Sequence, residues 1–321
     1  MVIVGVRGFK GHHVLKALEE NSQFKKVIAI DYKKPKIHLA KTKFYKLNLT
    51  ETLADVSLTE ILKNENCDTL IHTALPVTPL HDENLAHEII AIGTYYILNA
   101  CHAASVRKIL MASTADVYGA FPTNPNFLTE DMVPRGYRHS KFLRDKIDAE
   151  NQLIKYQKKN PKSVVTIVRP CTILGPNIHS YKTDYLNRAI VPTILGFDPL
   201  VQFVHENDVL NLLIKLVSED HPGIFNLAGD GVLPLSQAIR ICGKLNLKLN
   251  GLTFKTLGQL LWYADIAVAP ASHIDFLRYL CIADNQKIKT EIGFVPQYSS
   301  KEALQVFVKT NRPSLKEQLE A

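Results

Sequence analysis

A glycine-rich segment close to the N-terminus constrains the fold more than any other feature of this 321-residue chain. Val2 to Val4 form a short apolar run that is typical of a buried strand. Three glycines follow at regular intervals, at Gly5, Gly8 and Gly11, and residues 12–21 then place apolar side chains at helical spacing. Such a turn lets the backbone bend tightly and lets a pyrophosphate approach the amide groups at the helix start. The segment therefore predicts a dinucleotide-binding turn.

The first half of the chain repeats this alternation of strand and helix. Apolar runs of strand length are separated by segments with helical spacing, which is typical of a parallel sheet covered on both faces. We therefore predict an α/β fold, with a Rossmann-type doubly wound parallel sheet and a smaller, mostly helical C-terminal lobe. The predicted dinucleotide-binding domain comprises residues 1–176, with 202–228 returning to it, and the predicted substrate-side lobe comprises residues 177–201 and 229–321. The predicted strands are 2–4, 26–31, 69–74, 108–113, 163–169, 202–205 and 223–228.

An acidic residue, Asp31, ends the second predicted strand. At that position a carboxylate can accept hydrogen bonds from both ribose hydroxyls of an adenosine. Together with the glycine turn, this acid favours dinucleotide binding over a purely structural turn. A carboxylate repels a 2′-phosphate, so we expect NAD as the cofactor, while Lys33 and Lys34 close behind leave NADP open.

The chain carries a net charge of +7, and much of it lies in lysines between positions 33 and 46. We interpret these lysines as a solvated face, with phosphate binding second, because no nucleic-acid-binding motif accompanies them. The five cysteines lack the spacing of metal ligands, so we expect reduced thiols and no metal site. No apolar stretch is long enough to span a membrane, and the chain starts directly with strand-like sequence. We therefore expect a cytoplasmic protein that does not insert into membranes.

One segment fits the pattern of a catalytic helix in two frames. Tyr137 and Lys141 form a Tyr-x-x-x-Lys pattern. Phe142 and Lys146 repeat the spacing five residues later, with phenylalanine in the tyrosine position. A lysine ammonium one helical turn from a tyrosine stabilises the phenolate and lowers a pKa that is about 10 when unperturbed. The first frame therefore predicts a proton-transfer device, whereas the second frame lacks its main acid–base group.

Further short motifs follow one another in a fixed order. They are Ile71 to Ala74, Gly93-Thr94, Ser113 to Gly119, Lys146 to Glu150, Arg169-Pro170, Gly175-Pro176, Phe203 to Val209 and Ile292 to Phe294. With the glycine turn and Asp31, this order resembles the extended short-chain dehydrogenase/reductase superfamily, in its NAD-dependent epimerase/dehydratase group. Each motif alone is modest evidence, but their shared order covers nearly the whole chain and is highly specific.

The resemblance implies the second frame of the helix. Family members carry a lysine, a glutamate four residues later and an Arg-Pro pair beyond it, and Lys146, Glu150 and Arg169 fit this pattern without a gap. The first frame would need an insertion. Phe142 then occupies the position of the family's catalytic tyrosine, and a phenyl ring has no proton to give or accept. Tyr137 could reach the site only if the preceding loop folds inward, so we keep it as the fallback acid.

The resemblance also implies the residues of the site. Lys146 would hold the nicotinamide ribose, and the Thr114 hydroxyl would bind the reacting oxygen of the substrate. Three positions depart from the family pattern, because Val4, Ile90 and Asn48 replace a frequent threonine, an asparagine behind the active site and an adenine-contacting aspartate. The implied cofactor-binding residues are Gly5, Gly8, Phe9, Lys10, Gly11, Asp31, Asn48, Leu49, Thr73, Ala74, Lys146 and Pro170.

Three functions are compatible with these residues. The first is an NAD-dependent oxidoreductase of the epimerase/dehydratase type, acting on a hydroxyl or carbonyl group of a sugar-nucleotide or an apolar alcohol. The second is an NAD(P)-binding sensor or scaffold without turnover, and the third is a polyanion-binding protein. Cys171 and Thr172 stand where sugar-nucleotide enzymes often carry an asparagine, which weakens the case for a UDP-sugar. The resemblance also implies a homodimer formed through residues 85–104 and the helix that bears Lys146.

Overall fold

The computed structural model describes residues 1–138, 140–267 and 269–311, except for the side chain of Tyr137. The chain divides into two compact units, whose limits differ from the predicted domains; the domain division itself stays a prediction. The first unit comprises Met1–Val117, Gly136–Arg169 and Leu210–Phe225, and the second comprises Tyr118–Arg135, Pro170–Val209 and the described residues from Asn226 onward.

The main sheet contains seven strands in the order β11-β6-β5-β4-β1-β2-β3. The six strands β1 to β6 pair in parallel with their neighbours in this order. In β1, for example, Val4 pairs with Ile30 of β2 on one side and with His72 of β4 on the other. This sheet, with the helical C-terminal region, confirms the predicted α/β Rossmann-type fold. The strands of the chain are β1 Val2–Val4, β2 Val27–Asp31, β3 Thr42–Lys46, β4 Thr69–His72, β5 Lys108–Ala112, β6 Val164–Pro170, β7 Thr172–Leu174, β8 Ile190–Ile194, β9 Leu200–Val201, β10 Phe203–His205, β11 Gly223–Leu227, β12 Leu233–Pro234 and β13 Leu245–Leu249.

Helices connect the parallel strands, as the crossover connections of such a sheet require. A π-helical turn, Glu88–Ile92, lies between α3 and α4, and single 3₁₀ turns cover Ala115–Tyr118, Gly136–Arg138 and Ala271–Leu277. The α-helices are α1 Phe9–Glu20, α2 Ala54–Asn64, α3 Glu83–His87, α4 Gly93–Ala103, α5 Lys141–Lys159, α6 Tyr181–Asn187, α7 Glu206–Ser218, α8 Leu235–Ile241, α9 Gly251–Tyr263, α10 Gln286–Glu291 and α11 Ser300–Asn311.

The core of the first unit lies where the helices cover the sheet. Strands β1, β2, β4 and β5 are buried along their whole length, which explains their continuous apolar runs. Helix α1 buries Val14, Leu15 and Leu18, which recur on one helical face. These contacts fix the start of α1 beside the carboxyl end of β1, where a doubly wound sheet binds its ligands.

Strand β3 was not predicted from the sequence. It forms one edge of the sheet, and two of its residues, Lys43 and Lys46, are exposed. Charged side chains on an edge strand protect it from pairing with another chain. Lys43 also forms an ion pair of 2.7 Å with Glu65. Part of the lysine-rich segment therefore has a structural role at a sheet edge.

The second unit contains short strand pairs packed against helices. Parallel pairs join β7 to β10 and β8 to β13, and an antiparallel pair joins β9 to β12. Residues 230–280 were predicted to be mostly helical, and β13 is a strand within them that pairs with β8 across a long stretch of sequence. The core of the second unit includes Phe203, Leu304 and Phe307. No helix in the described ranges is long and apolar enough to cross a membrane.

Two glycines of the turn differ in the space around them, and this difference predicts the effect of adding a methyl group. A Cβ at Gly11 would lie 2.1 Å from the carbonyl oxygen of Gly5, whereas at Gly8 the nearest atom is 3.7 Å away. We expect Gly11→Ala to lower the free energy of unfolding by about 3 kcal/mol, as overpacking does. Gly8→Ala, the matched control, should change it by less than about 1 kcal/mol. Chemical denaturation followed by circular dichroism measures both, and equal stabilities would contradict the close packing.

Candidate dinucleotide and active site

The glycine turn brings three backbone segments into direct contact. Gly5 has a φ of +94°, a conformation that side chains rarely adopt, and a Cβ there would lie 2.3 Å from the amide nitrogen of Ala74. The Thr73 hydroxyl donates to the carbonyl oxygens of Val4 and Gly5, at 2.9 and 3.2 Å. The end of β4 is therefore held against the end of β1, and both adjoin the start of α1.

The start of α1 is suited to an anion. The helix begins at Phe9 after Gly8, which provides no capping side chain, and its first turn contains no acidic residue. The amide groups of a helix start form hydrogen bonds to a phosphate and are favoured by the helix dipole. Gly8 leaves open space in front of them, because a Cβ there would meet nothing closer than 3.7 Å. These features form a cradle for a phosphate group.

A cavity of about 370 Å³ extends from this cradle, entirely within the first unit. It brings together most of the cofactor-binding residues that the sequence implied, and it adds nine that were not among them, including Val4 and Ile30 at the ends of β1 and β2. The predicted residues in its lining are Gly5, Gly8, Phe9, Lys10, Asp31, Asn48, Leu49, Thr73 and Ala74. The added residues are Val4, Arg7, Ile30, Tyr32, Leu47, Leu75, Pro76, Val77 and Ile89.

Three of the predicted cofactor residues are not among those that line the cavity. Gly11 is buried in the first turn of α1, with its Cα against Gly5 and Thr73. Lys146 lies in helix α5, and Pro170 begins a segment of the second unit. Their roles stay predictions.

At the end of β2, Asp31 is a nearly buried carboxylate facing the glycine turn. The backbone amide of Arg7 donates to its Oδ2 at 2.9 Å. Burial raises the pKa of Asp31, and hydrogen bonds from the backbone amides of Arg7, Tyr32 and Lys33 counteract part of that rise. The Arg7 guanidinium lies 4.8 Å from the centre of the Tyr32 ring and donates to its hydroxyl. Arg7 stands inside the glycine motif, so its position in the sequence was a signal that could have identified it.

Asn48 and Leu49 lie just after β3, at the same edge of the sheet. The Asn48 side-chain oxygen accepts hydrogen bonds from the backbone amide and the hydroxyl of Thr50, at 3.2 and 3.0 Å. This oxygen is therefore already engaged, whereas the replaced aspartate would have brought a charge. Leu49 is buried and supplies an apolar wall.

Helix α5 places the lysines of the two frames in different surroundings. Ser140 caps its start by accepting a hydrogen bond from the amide of Leu143 at 3.2 Å. Lys141 is 56% exposed and pairs with Glu83 at 2.6 Å, whereas Lys146 is 3% exposed. The Lys146 ammonium lies 4.4 Å from the centre of the Phe142 ring, a cation–π contact. The lysine of the second frame thus points inward and contacts the phenyl ring.

The side chain of Tyr137 and all of His139 lie outside the described residues. The backbone of Tyr137 belongs to the 3₁₀ turn Gly136–Arg138, ahead of α5. Thr114, the predicted catalytic hydroxyl, follows β5 and is partly exposed. Its Oγ1 accepts a hydrogen bond from the Asp116 amide at 3.3 Å.

A buried network anchors α5 to the sheet. Arg169, in β6, donates to Glu150 through Nε at 3.2 and 3.1 Å and through its terminal nitrogen at 2.6 Å. The Ser113 hydroxyl, at the end of β5, donates to the same carboxylate at 2.5 Å. Glu150 lies one helical turn after Lys146, so this network fixes the depth and rotation of Lys146 next to the end of β5.

A π-helical turn contains Ile90, the residue that stands where family members carry an asparagine. Ile90 lies within Glu88–Ile92 and is buried. The Thr94 hydroxyl donates to the Ile90 carbonyl oxygen at 2.5 Å and lies 2.9 Å from Nε2 of His72. Such turns are frequent at functional sites. The backbone irregularity remains, although the side chain that would project from it is apolar.

The sequence pattern of the NAD dependent epimerase/dehydratase family matches residues 1–228. The fold is that of a Rossmann-type α/β protein. The chain belongs to the NAD-dependent epimerase/dehydratase family, as its sequence predicted.

Several known proteins are similar to this chain. An uncharacterized protein of Mycobacterium tuberculosis is 28% identical over 306 residues, covering 94% of this chain and 81% of the relative. The structure of MoeE5 in complex with UDP-glucuronic acid and NAD has a TM-score of 0.75 at 19% identity, covering 98% of this chain and 99% of that chain. The Thermus thermophilus UDP-glucose 4-epimerase in complex with NAD has a TM-score of 0.74 at 18% identity, with the same coverage. At these identities the likeness to the solved structures establishes the fold.

The buried network predicts a large loss of stability when its carboxylate is neutralised. Glu150→Gln removes the carboxylate of the buried ion pair with Arg169, and breaking such a pair costs about 3 kcal/mol or more. Glu83→Gln is the matched control, because its ion pair with Lys141 is exposed and such pairs contribute less than about 1 kcal/mol. Urea denaturation of the two variants checks the difference. Similar losses for both would contradict an anchoring role for Glu150.

Proposed function

We propose that this protein binds NAD and is an oxidoreductase of the epimerase/dehydratase type, acting on a hydroxyl or carbonyl compound. The observation that carries the proposal is the uncapped start of α1, which opens into a cavity that ends at a carboxylate. The cradle at Gly8 fits a pyrophosphate, and Asp31 fits the ribose hydroxyls of the adenosine. The donor set of the cavity therefore fits the cofactor.

In this proposal each end of the dinucleotide has its own partners. The amides of Phe9 and Lys10 bind the pyrophosphate, and Asp31 binds the adenosine ribose. Lys146 holds the nicotinamide ribose, and Thr114 binds the reacting oxygen of the substrate. When bound, the cofactor supplies hydride transfer to or from carbon. Asp31 favours NAD over NADP, and the neighbouring Arg7 is the side chain that could accommodate a 2′-phosphate.

Two substrate classes fit the proposal. MoeE5 was solved with UDP-glucuronic acid, and the Thermus thermophilus protein is a UDP-glucose 4-epimerase. Both support a sugar-nucleotide as the substrate class. An apolar alcohol is the second class, supported by Cys171 and Thr172 in place of the family asparagine and by the exposed apolar residues Leu260 and Tyr263 in α9. We further propose a cytoplasmic homodimer, formed through residues 85–104 and α5, where Leu85 and Tyr95 are exposed.

A sensor or scaffold that binds NAD(P) without turnover is the second candidate. The observation that favours it is the contact between Phe142 and Lys146, because a phenyl ring occupies the place next to the lysine where the family has a hydroxyl. In the enzyme reading, by contrast, the acid would have to be Thr114, Tyr137, His139 or water. The polyanion-binding alternative is weakened, since Lys43 is paired with Glu65 and Lys41 donates to the Asn21 carbonyl oxygen. Exposed lysines such as Lys33, Lys34 and Lys36 remain available to it.

Cofactor binding predicts a specific effect of removing the Asp31 carboxylate. Asp31→Ala should raise the Kd for NADH about tenfold, because hydrogen bonds to a charged group are lost. The same change should weaken NADPH binding less, since it also removes repulsion of the 2′-phosphate. Asp68→Ala is the control, because Asp68 is exposed just before β4, at the opposite end of the sheet. Fluorescence enhancement of NADH and NADPH measures the six constants, for the wild-type protein and both variants. An unchanged Kd in Asp31→Ala would contradict the proposed adenosine site.

The missing hydroxyl predicts a gain of activity. Phe142→Tyr should raise any turnover by about 100-fold or more, the usual contribution of a general acid–base group. Phe142→Leu, which keeps an apolar side chain, should give no gain, and Tyr137→Phe should have little effect. The assay follows NADH absorbance with UDP-sugars and with apolar secondary alcohols. Loss of turnover in Tyr137→Phe would show that the first frame is the working one.

A further inference from the structure

Lys10 is a buried lysine in the first turn of α1. It is 5% exposed, and its ammonium donates to the carbonyl oxygens of Ala112 and Ser113, at 2.5 and 3.4 Å. Lysines are rarely buried to this extent unless they are paired. In the ranges that the structure describes, no carboxylate forms an ion pair with Lys10. The sequence placed this residue at the pyrophosphate through its backbone, and it did not indicate where the side chain lies.

The side chain runs from α1 to the end of β5, where it meets the groups of the proposed active site. Ser113 precedes Thr114, and Lys146 of α5 is close enough to repel the Lys10 ammonium. Two cations that influence each other electrostatically therefore belong to the region where the nicotinamide ribose is proposed to bind. Lys146 has the Phe142 ring beside it, whereas the partners of Lys10 are backbone carbonyl oxygens.

The other titratable groups around Lys10 do not compensate its charge. His72, in β4, is buried, and burial with the nearby Lys10 charge lowers its pKa to about 3, so it is neutral at ordinary pH. Glu150 of α5 is bound to Ser113 but is occupied by Arg169 of β6. Burial, and to a smaller extent Lys146, lowers the pKa of Lys10 to about 7. The ammonium of Lys10 therefore loses its proton within the physiological range.

We propose that Lys10 sets the preference of the site for reduced over oxidised dinucleotide. This inference rests on the proposed NAD function. The oxidised nicotinamide ring carries a positive charge and the reduced ring is neutral, so the ammonium of Lys10 repels the oxidised form alone. In a buried site, where water screens little, this repulsion between like charges is strong.

The proposal gives a defined dependence on pH. At low pH Lys10 is charged, and NAD⁺ binds less tightly than NADH. As the pH rises through the pKa of Lys10, the repulsion is lost and NAD⁺ binding improves, while NADH binding changes little. The ratio of the Kd for NAD⁺ to the Kd for NADH should therefore fall as the pH rises.

The experiment measures both dissociation constants by calorimetry, at about pH 6 and about pH 8.5, on either side of the pKa of Lys10. In the wild-type protein the ratio should fall about tenfold between the two values. Lys10→Met should give the low Kd ratio of the high-pH protein at both pH values. Lys10→Arg should give the high Kd ratio of the low-pH protein at both pH values, because arginine stays charged. Lys16→Met, an exposed lysine of the same helix, should behave like wild type.

Two results would overturn the inference. The first is a wild-type ratio that does not change with pH, which tests the proposal even if a variant fails to fold. The second is a Lys10→Met ratio equal to that of wild type at about pH 6, with both dinucleotides still bound. Failure of the wild-type protein to bind either dinucleotide is a separate outcome, because it overturns the proposed NAD function and this inference together.

Discussion

The close contact between the glycine turn and the end of β4 is the constraint on which the rest of the site depends. Gly5 adopts a positive φ, and its backbone lies directly against Ala74. No larger residue fits there, and the contact directs the start of α1 into the cavity between the carboxyl ends of the strands. The phosphate cradle, the position of Asp31 and the path of the Lys10 side chain all follow from this arrangement.

A second anchor acts on α5. The carboxylate of Glu150 joins the helix to β5 through Ser113 and to β6 through Arg169. In the proposed NAD site this network places Lys146 next to the cofactor, and Phe142, which has no proton to exchange, stands beside the lysine. The anchoring network around Glu150 is thus present, whereas Phe142 changes the proposed reaction centre. Two proposals are compatible with this combination: an oxidoreductase with an atypical acid, and an NAD sensor without turnover.

The sequence predicted the fold class and half of the cavity lining because both depend on local patterns. The continuous apolar runs of β1, β2 and β5 and the spaced glycines each carry their own signal. Strands β8 and β13 were missed because each gains its stability from a partner distant in sequence. The Lys10 side chain was missed for a similar reason, since only the folded chain places β5 beneath the glycine turn. Arg7 was visible in the motif, but its contact with Asp31 depends on the turn geometry.

The central claim is that the second frame of α5 forms the nicotinamide end of an NAD site. The most direct measurement is a crystal structure of the protein with NADH bound. We predict that the Lys146 ammonium contacts the nicotinamide ribose and that the Phe142 ring lies beside the nicotinamide C4, with the adenosine ribose on Asp31. A nicotinamide ribose bound by Lys141, with the Tyr137 hydroxyl beside C4, would contradict the account.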